Sequence, residues 1–202
     1  ATSTKCTSNL KQLSLSYFSY LDDNADWNIY FDGSSWAKHW FRQMAQQRYL
    51  VGININPTLY GIDSDAVCAS PSGVLNCPAE RTTNKLFRGS HYAISDNQLL
   101  GPDSSEPDGL LARCWRRSPR QDVAVSKIGL FGDNGVNNTP AGAANSFSYT
   151  ASSQGFRHDS GAAWNVSYLD GHTGVIRLPE APLTSDHIFR YSRTVWRNGR
   201  KL

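Results

Sequence analysis

The most constraining feature of the sequence is a series of apolar side chains near its start that recur every three or four residues. They are Cys6, Leu10, Leu13, Tyr17, Tyr20 and Leu21. This spacing lays them along one stripe of an α-helix, and Lys5, Asn9, Lys11 and Gln12 are expected on its other faces. The stretch "DDNADWN" ends the pattern, because its side chains compete for backbone hydrogen bonds. We therefore predict an amphipathic helix from Thr2 to about Asn24.

A helix of this length with a single narrow apolar stripe needs a surface to lie on or a continuation outside the domain. A second helix is predicted over residues 36–50, with Trp40 and Met44 on its apolar face. The segments "SHYAIS" and "VAVSKIGLF" have the composition of β-strands. Residues 52–84 and 132–155, which are rich in Gly, Asn, Pro and Ser, predict long irregular loops.

Composition places the chain among folded, non-membrane domains. Hydrophobic residues make up 39% and charged residues 18% of the 202 residues, which excludes a disordered chain. No stretch reaches the roughly 18 apolar residues that span a bilayer.

The net charge of +3 gives only modest attraction to nucleic acid, and the basic tail "RYSRTVWRNGRKL" is interpreted as a solvated terminus. With neither a repeat nor a linker, residues 1–202 are predicted to form one α+β domain without a nucleic-acid partner.

A β-hairpin is predicted late in the chain. Trp164, Val166 and Tyr168 alternate with Asn165, Ser167 and Leu169, as side chains do along a strand. Asp170-Gly171 is a strong turn signal, and "VIRL" follows as the return strand. In this interpretation the Asp170 side chain stabilises the turn, Gly171 adopts the backbone conformation that the turn requires, and His158 hydrogen-bonds across to the turn.

The sequence contains the residue types used in transition-metal sites, calcium sites and hydrolytic active sites, but not in the spacing that such sites usually have. His158, Asp170 and His172 are types that bind zinc or iron, but their spacing is not that of a recognised metal site. Asp133, and Asp63 with Asp65, offer loop oxygens for calcium without completing an EF-hand. The sequence contains neither a G-x-S-x-G elbow nor a phosphate-binding glycine loop. We therefore expect no enzyme and no resident cofactor, with calcium as the one candidate ion.

Four cysteines allow two disulfides. Cys68 and Cys77 enclose a Pro/Gly turn that could bring their sulfurs together, so we predict a disulfide between them. Cys6 and Cys114 remain, either paired or as free buried thiols. The six Trp and nine Tyr residues, several in polar loops, support an alternative function as an extracellular carbohydrate- or peptide-binding module.

Four motifs resemble a known family. The segment "CTSNLKQLSLSYFSYLDDNADW" resembles the part of prepilin-type proteins that follows their membrane-spanning segment, and "CPAE" is similar to that family's Cys-Pro-Ser-Asp element. "VSKIGLFGDNG" and "RHDSGAAWNVSYLDGHTGVI" resemble the segments that lead into and form its terminal His…Asp-Gly-His signature. The interval from His158 to Asp170 is two residues longer than is usual in that family.

The resemblance implies a pseudopilin-like ectodomain, similar to the major pseudopilin of type II secretion systems. The implied fold is pilin-like: residues 1–24 form the outer half of a long helix, and residues 25–202 form a globular region with an antiparallel sheet and long loops. His158, Asp170, Gly171 and His172 are then structural signature residues. The implied function is a structural fibre subunit that assembles with other pseudopilins and with inner-membrane components of the secretion system. We expect a periplasmic location, with an anchor in the inner membrane only through a segment upstream of Ala1.

Overall fold

The computed structural model describes residues 2–25, 29, 40–52, 73–80, 90–95, 126, 129–133, 146–147, 157–177, 196–197 and 200–201. For residues 95, 146–147, 196–197 and 200–201 the description covers the backbone only. Among the helices of these segments, none is both long enough and apolar enough to traverse a bilayer.

The first helix, α1, spans Thr2–Asp23. All six residues of the predicted stripe are buried, which confirms the prediction from their spacing. The helix ends where Asn24 donates both its backbone N–H and its side-chain amide to the carbonyl of Tyr20 (3.0 and 2.8 Å). The next residue, Ala25, has a φ of +51°, a left-handed conformation that cannot continue the helix.

One helix position differs from the prediction. Asn9 is buried rather than exposed, because its side chain reaches away from solvent to two partners. Its Nδ2 donates to the carbonyl of Asn76 (2.8 Å) and to the hydroxyl of Tyr92 (3.2 Å). A polar side chain on the apolar stripe is stable there because both amide hydrogens are hydrogen-bonded.

The second helix, α2, spans Trp40–Gln46, and residues 36–39 of its predicted range lie outside the described part. Trp40 and Met44 are buried as predicted, and Leu50 is buried beyond the helix end. The ring of Trp40 packs on Phe131 with a centroid distance of 4.9 Å, which docks this helix on the sheet beside α1.

The main sheet has five strands in the order β3-β1-β2-β4-β5. Their bounds are Tyr92–Ser95 (β1), Gly129–Asp133 (β2), Ser146–Phe147 (β3), Ala163–Tyr168 (β4) and Thr173–Arg177 (β5). Neighbours are antiparallel except β1 and β3, which are parallel. The predicted α+β class with an antiparallel sheet is therefore present, with one parallel edge strand. The predicted loop over 132–155 contains the end of β2 and all of β3.

The predicted hairpin is formed by β4 and β5, with Ala163 opposite Arg177 and Ser167 opposite Thr173. A separate two-stranded sheet pairs Trp196–Arg197 (β6) with Arg200–Lys201 (β7) in the basic tail.

Helix α1 covers one face of the main sheet, and both faces of β4 are buried. On the helix side, Tyr17 packs edge-on against Phe131 with a centroid distance of 5.7 Å. On the opposite face lies a smaller cluster made of Ala93, Trp164, Val166, Tyr168 and Ile176. The two cores follow from the period-2 alternation of β4, whose successive side chains enter opposite layers.

Candidate functional site

The turn between β4 and β5 carries the Asp-Gly-His part of the signature. Asp170 Oδ1 accepts a hydrogen bond from the backbone N–H of His172 (3.1 Å) and lies 2.5 Å from ring atom Nδ1 of the same residue. Gly171 has a φ of +87°, which favours glycine. The His172 ring stacks on Tyr168 at a centroid distance of 4.2 Å. These contacts stabilise the turn, as predicted for Asp170 and Gly171.

His158 lies at the other end of the hairpin, where its backbone pairs with Ala163. The prediction that it reaches the Asp-Gly turn is wrong. The six residues of β4 stand between the two, a distance of roughly 20 Å for an extended strand. His158, Asp170 and His172 therefore do not form one metal site.

The side chain of His158 is buried against Asp133 at the end of β2, with Nε2 3.0 Å from Oδ2. The same Oδ2 accepts the backbone N–H of Asn165 (2.9 Å), and the carbonyl of Asp133 accepts the indole N–H of Trp164 (2.9 Å). Oδ1 of Asp133 is buried and has no hydrogen-bond partner among the described residues. Asp133 is thus fixed by three contacts to the segment that carries the His…Asp-Gly-His signature, through His158, Trp164 and Asn165.

The environment of His158 favours its charged form. Burial alone would lower the pKa of the imidazole, but its hydrogen bonds to Asp133 and Cys77 and the negative charge of Asp133 raise the pKa to about 9. In the absence of other ligands, His158 is therefore a buried imidazolium beside Asp133 at neutral pH.

The loop containing "CPAE" brings Cys77 to this pair. It follows a 3₁₀ turn at Gly73–Leu75, and the Cys77 backbone N–H donates to Nδ1 of His91 (3.0 Å). The sulfur of Cys77 lies 3.9 Å from Nε2 of His158. Burial, together with the charge of Arg157, lowers the pKa of His91 to about 4, so its ring is neutral and its Nδ1 can accept this bond.

A buried ion pair joins the same two segments a second time. Arg157 Nη1 lies 2.7 Å from Glu80 Oε2, and both side chains are less than a tenth exposed. Adjacent residues of the signature, Arg157 and His158, thus contact adjacent parts of the "CPAE" loop. The loop is fixed to the sheet at two points.

Cys6 enters from the first turns of α1 and completes the arrangement. Its sulfur, the sulfur of Cys77 and a ring nitrogen of His158 all lie within 4.8 Å of one another. A hydrogen bond from Cys77, with others from the Ala79 backbone and Tyr92, lowers the pKa of Cys6 to about 7 against the opposing effect of burial. The same Cys6–Cys77 contact and burial raise the pKa of Cys77, so Cys6 is the more acidic thiol.

We call Cys6, Cys77, Asp133 and His158 the Cys–His–Asp cluster. Each of the four is at most 3% exposed. Both cysteines are free thiols in the structure. A nucleophile, a base and a carboxylate are close together, but all are enclosed between α1 and the sheet. The sulfur, nitrogen and oxygen atoms of the cluster are of the types that bind metal ions.

Several predicted site residues lie elsewhere. Cys77 is a free thiol in the structure, so the predicted Cys68–Cys77 disulfide is not formed there. Asp63 and Asp65 are outside the described residues, so calcium binding at 63–65 stays a prediction. Asp133 is not in an open loop as predicted, because it ends a buried strand and contacts N–H groups and an imidazole. Trp40 and Trp164 are buried in the core, where they cannot meet a carbohydrate.

Sequence reasoning missed the pairing of Asp133 with His158 and the approach of Cys6 to Cys77. The sequence signal that could have pointed to this cluster is the set of four motifs that resemble the prepilin-type family. "CTSNLKQ" contains Cys6, "CPAE" contains Cys77, "FGDNG" contains Asp133 and "RHDS" contains His158. Each of the four motifs supplies one member of the cluster.

The chain matches no protein-family model, no curated protein and no solved structure. The resemblance to prepilin-type proteins therefore depends on the sequence motifs alone.

Proposed function

We propose that this chain is the extracytoplasmic domain of a pseudopilin-like subunit, which functions by assembly into an envelope fibre rather than by catalysis. The observation that carries the proposal is the packing of α1, a helix of 22 residues, lengthwise on an antiparallel sheet through one apolar stripe. A pilin-type subunit requires this arrangement, in which the sheet holds one face of the helix and leaves the other free.

The free face of α1 has the composition expected of a surface that contacts other subunits. It exposes Lys5, Lys11 and Gln12, together with Leu15, which is 57% exposed. An exposed leucine among polar groups can contribute apolar contact area to a subunit interface. We propose that this face, with a membrane anchor upstream of Ala1, packs against other pseudopilins and inner-membrane components of a secretion system.

The burial of the Cys–His–Asp cluster supports the non-catalytic part of the proposal. Its residues connect the helix, the "CPAE" loop, β2 and the hairpin, which are the parts that must stay together when a fibre bears load. The proposed location is periplasmic, on the membrane side where such fibres assemble.

The coding sequence upstream of Ala1 gives the first test. The proposal requires a prepilin processing site followed by about 20 mainly apolar residues. An upstream sequence without these two features overturns it.

An assembly assay tests the proposed interface. The full-length gene product is expressed in a bacterium that carries a prepilin peptidase and a type II assembly system, and sheared fibres are quantified. Leu15→Asp should reduce fibre yield strongly, while the matched control Val51→Asp, at a site that is 85% exposed and not part of α1, should not. Equal fibre yields from both variants would contradict a role for the free face of α1.

A further inference from the structure

Three side chains that commonly bind transition metals meet in the Cys–His–Asp cluster although they are far apart in the sequence. The ligand atoms of Cys6, Cys77 and His158 lie within 4.8 Å of one another, and all three residues are buried. Among the described residues, they are the one group of three or more Cys, His, Asp or Glu side chains with this geometry.

The separation of the Cys77 and His158 ligand atoms is close to that of a tetrahedral site. With metal–sulfur and metal–nitrogen distances of about 2.3 and 2.0 Å, neighbouring ligand atoms are separated by roughly 3.5–3.8 Å. The observed separation of Cys77 Sγ and His158 Nε2 is 3.9 Å. A cation could therefore bind among the three atoms with shifts of a few tenths of an ångström at this pair.

Asp133 is not part of the group within 4.8 Å, but it lies beside His158 and is the candidate for a fourth ligand. Its Oδ2 lies 3.0 Å from Nε2 of His158, and its buried Oδ1 has no hydrogen-bond partner among the described residues. A buried carboxylate oxygen without a partner is costly, and coordination to a cation would remove that cost.

The types of ligand atom indicate which metal ions would bind. Two sulfurs and an imidazole bind zinc-like ions, whereas calcium and magnesium prefer sites made of oxygens alone. A site with four protein ligands and no solvent access is typical of structural zinc, since catalytic zinc keeps one position open.

We infer that Cys6, Cys77, His158 and Asp133 bind one divalent zinc-class cation that joins α1, the "CPAE" loop, β2 and the hairpin. The ion offsets the charge of two buried thiolates and a carboxylate, and it protects the thiols from oxidation. This inference does not depend on the proposed function, because a domain of any function could be held together in this way.

Cobalt(II) titration of the purified chain is the first test. The background variant C68S/C114S leaves Cys6 and Cys77 as the two remaining cysteines of four. We expect one Co²⁺ per chain, with a near-ultraviolet thiolate-to-cobalt band, intense visible bands of tetrahedral cobalt, and displacement of both by one equivalent of Zn²⁺. The absence of these bands in a folded protein with two titratable thiols would overturn the inference.

Single substitutions then identify the ligands. C6S, C77S and H158N should each weaken cobalt binding by about a hundredfold or more, and D133N should weaken it less. The matched controls are H172N and D170N, which alter a partly exposed His–Asp pair on the same hairpin and should leave binding unchanged. Loss of the cobalt spectrum in H172N but not in H158N would contradict the assignment.

A second measurement keeps the inference testable if the ligand variants fail to fold. The mass and free-thiol content of the unmodified background protein distinguish a metal site from a disulfide. Two free thiols after chelation and bound zinc before it support the site. A mass lower by two hydrogens, with no free thiol, would show a Cys6–Cys77 disulfide and overturn it.

Discussion

The indole ring of Trp164 lies directly on the backbone of Gly132, on the face of the sheet away from α1. A Cβ at position 132 would come within 2.7 Å of Cζ2 and 3.0 Å of Cε2 of the indole. The indole N–H is also hydrogen-bonded to the carbonyl of Asp133, so the ring is held in place beside the residue that contacts His158. The Trp164 indole therefore leaves no space for a side chain at position 132, which explains the first glycine of "FGDNG".

Gly132→Ala should destabilise the fold by about 2–3 kcal/mol, because the indole must move and strain its bond to Asp133. Chemical denaturation followed by tryptophan fluorescence measures this loss. Gly52→Ala is the control, since its new Cβ would have open space but a φ of +75°, so it should cost only about 1 kcal/mol. A smaller loss for Gly132→Ala than for Gly52→Ala would contradict the proposed packing.

Glu80→Gln should destabilise the protein by about 3 kcal/mol, because it removes the carboxylate that faces the buried Arg157 guanidinium. The control is Asp159→Asn, which removes the carboxylate of an ion pair with Arg177 whose side chains are about half exposed. That change should cost less than about 1 kcal/mol, because water and salt screen exposed pairs. Urea denaturation measures the unfolding free energy of both variants. Equal losses of stability in Glu80→Gln and Asp159→Asn would show that the Arg157–Glu80 pair is not shielded from solvent.

The two faces of α1 should respond differently to the same truncation. Leu13→Ala removes a fully buried side chain from the core and should cost about 3 kcal/mol, whereas Leu15→Ala on the exposed face should change stability by less than about 0.5 kcal/mol. Thermal or urea unfolding of the chain provides the comparison. A large effect at Leu15 in the monomer would mean that its face is covered within the chain.

Stability of the metal-free protein should fall as the pH decreases from about 6.5 to about 4, in part because of His91. Its folded pKa of about 4 lies below the ordinary value of 6.5, so in this window the unfolded chain binds a proton that the native state does not. The shift corresponds to about 3 kcal/mol. His158, whose pKa is raised, titrates above this window and does not contribute to it.

His91→Asn tests the assignment, because an amide oxygen can still accept the Cys77 N–H while the titrating group is removed. The loss of stability between pH 6.5 and pH 4 should be smaller in the variant than in the original protein by about 3 kcal/mol. The difference between the two proteins at pH 8, where the ring is neutral in both states, measures the packing effect alone. Parallel pH profiles would exclude His91 as the source.

Local periodicity was enough to predict α1, with all six stripe residues buried, and the hairpin with Asp170-Gly171 at its turn. Both depend on contacts between residues a few positions apart, and such contacts are encoded directly in the spacing of apolar side chains and in turn chemistry. The same reasoning placed Asn9 wrongly, since its partners, Asn76 and Tyr92, lie far along the chain.

The Cys–His–Asp cluster was decided by the tertiary structure alone. Cys77 and His158 are 81 positions apart, and they meet because β2 pairs with β4 and because the "CPAE" loop is fixed by His91 and Arg157. The sequence by itself determined which segments form a helix or a hairpin and supplied the four motifs. Only the order of strands and the docking of α1 could bring one residue from each motif together, because such long-range contacts leave no period in the sequence.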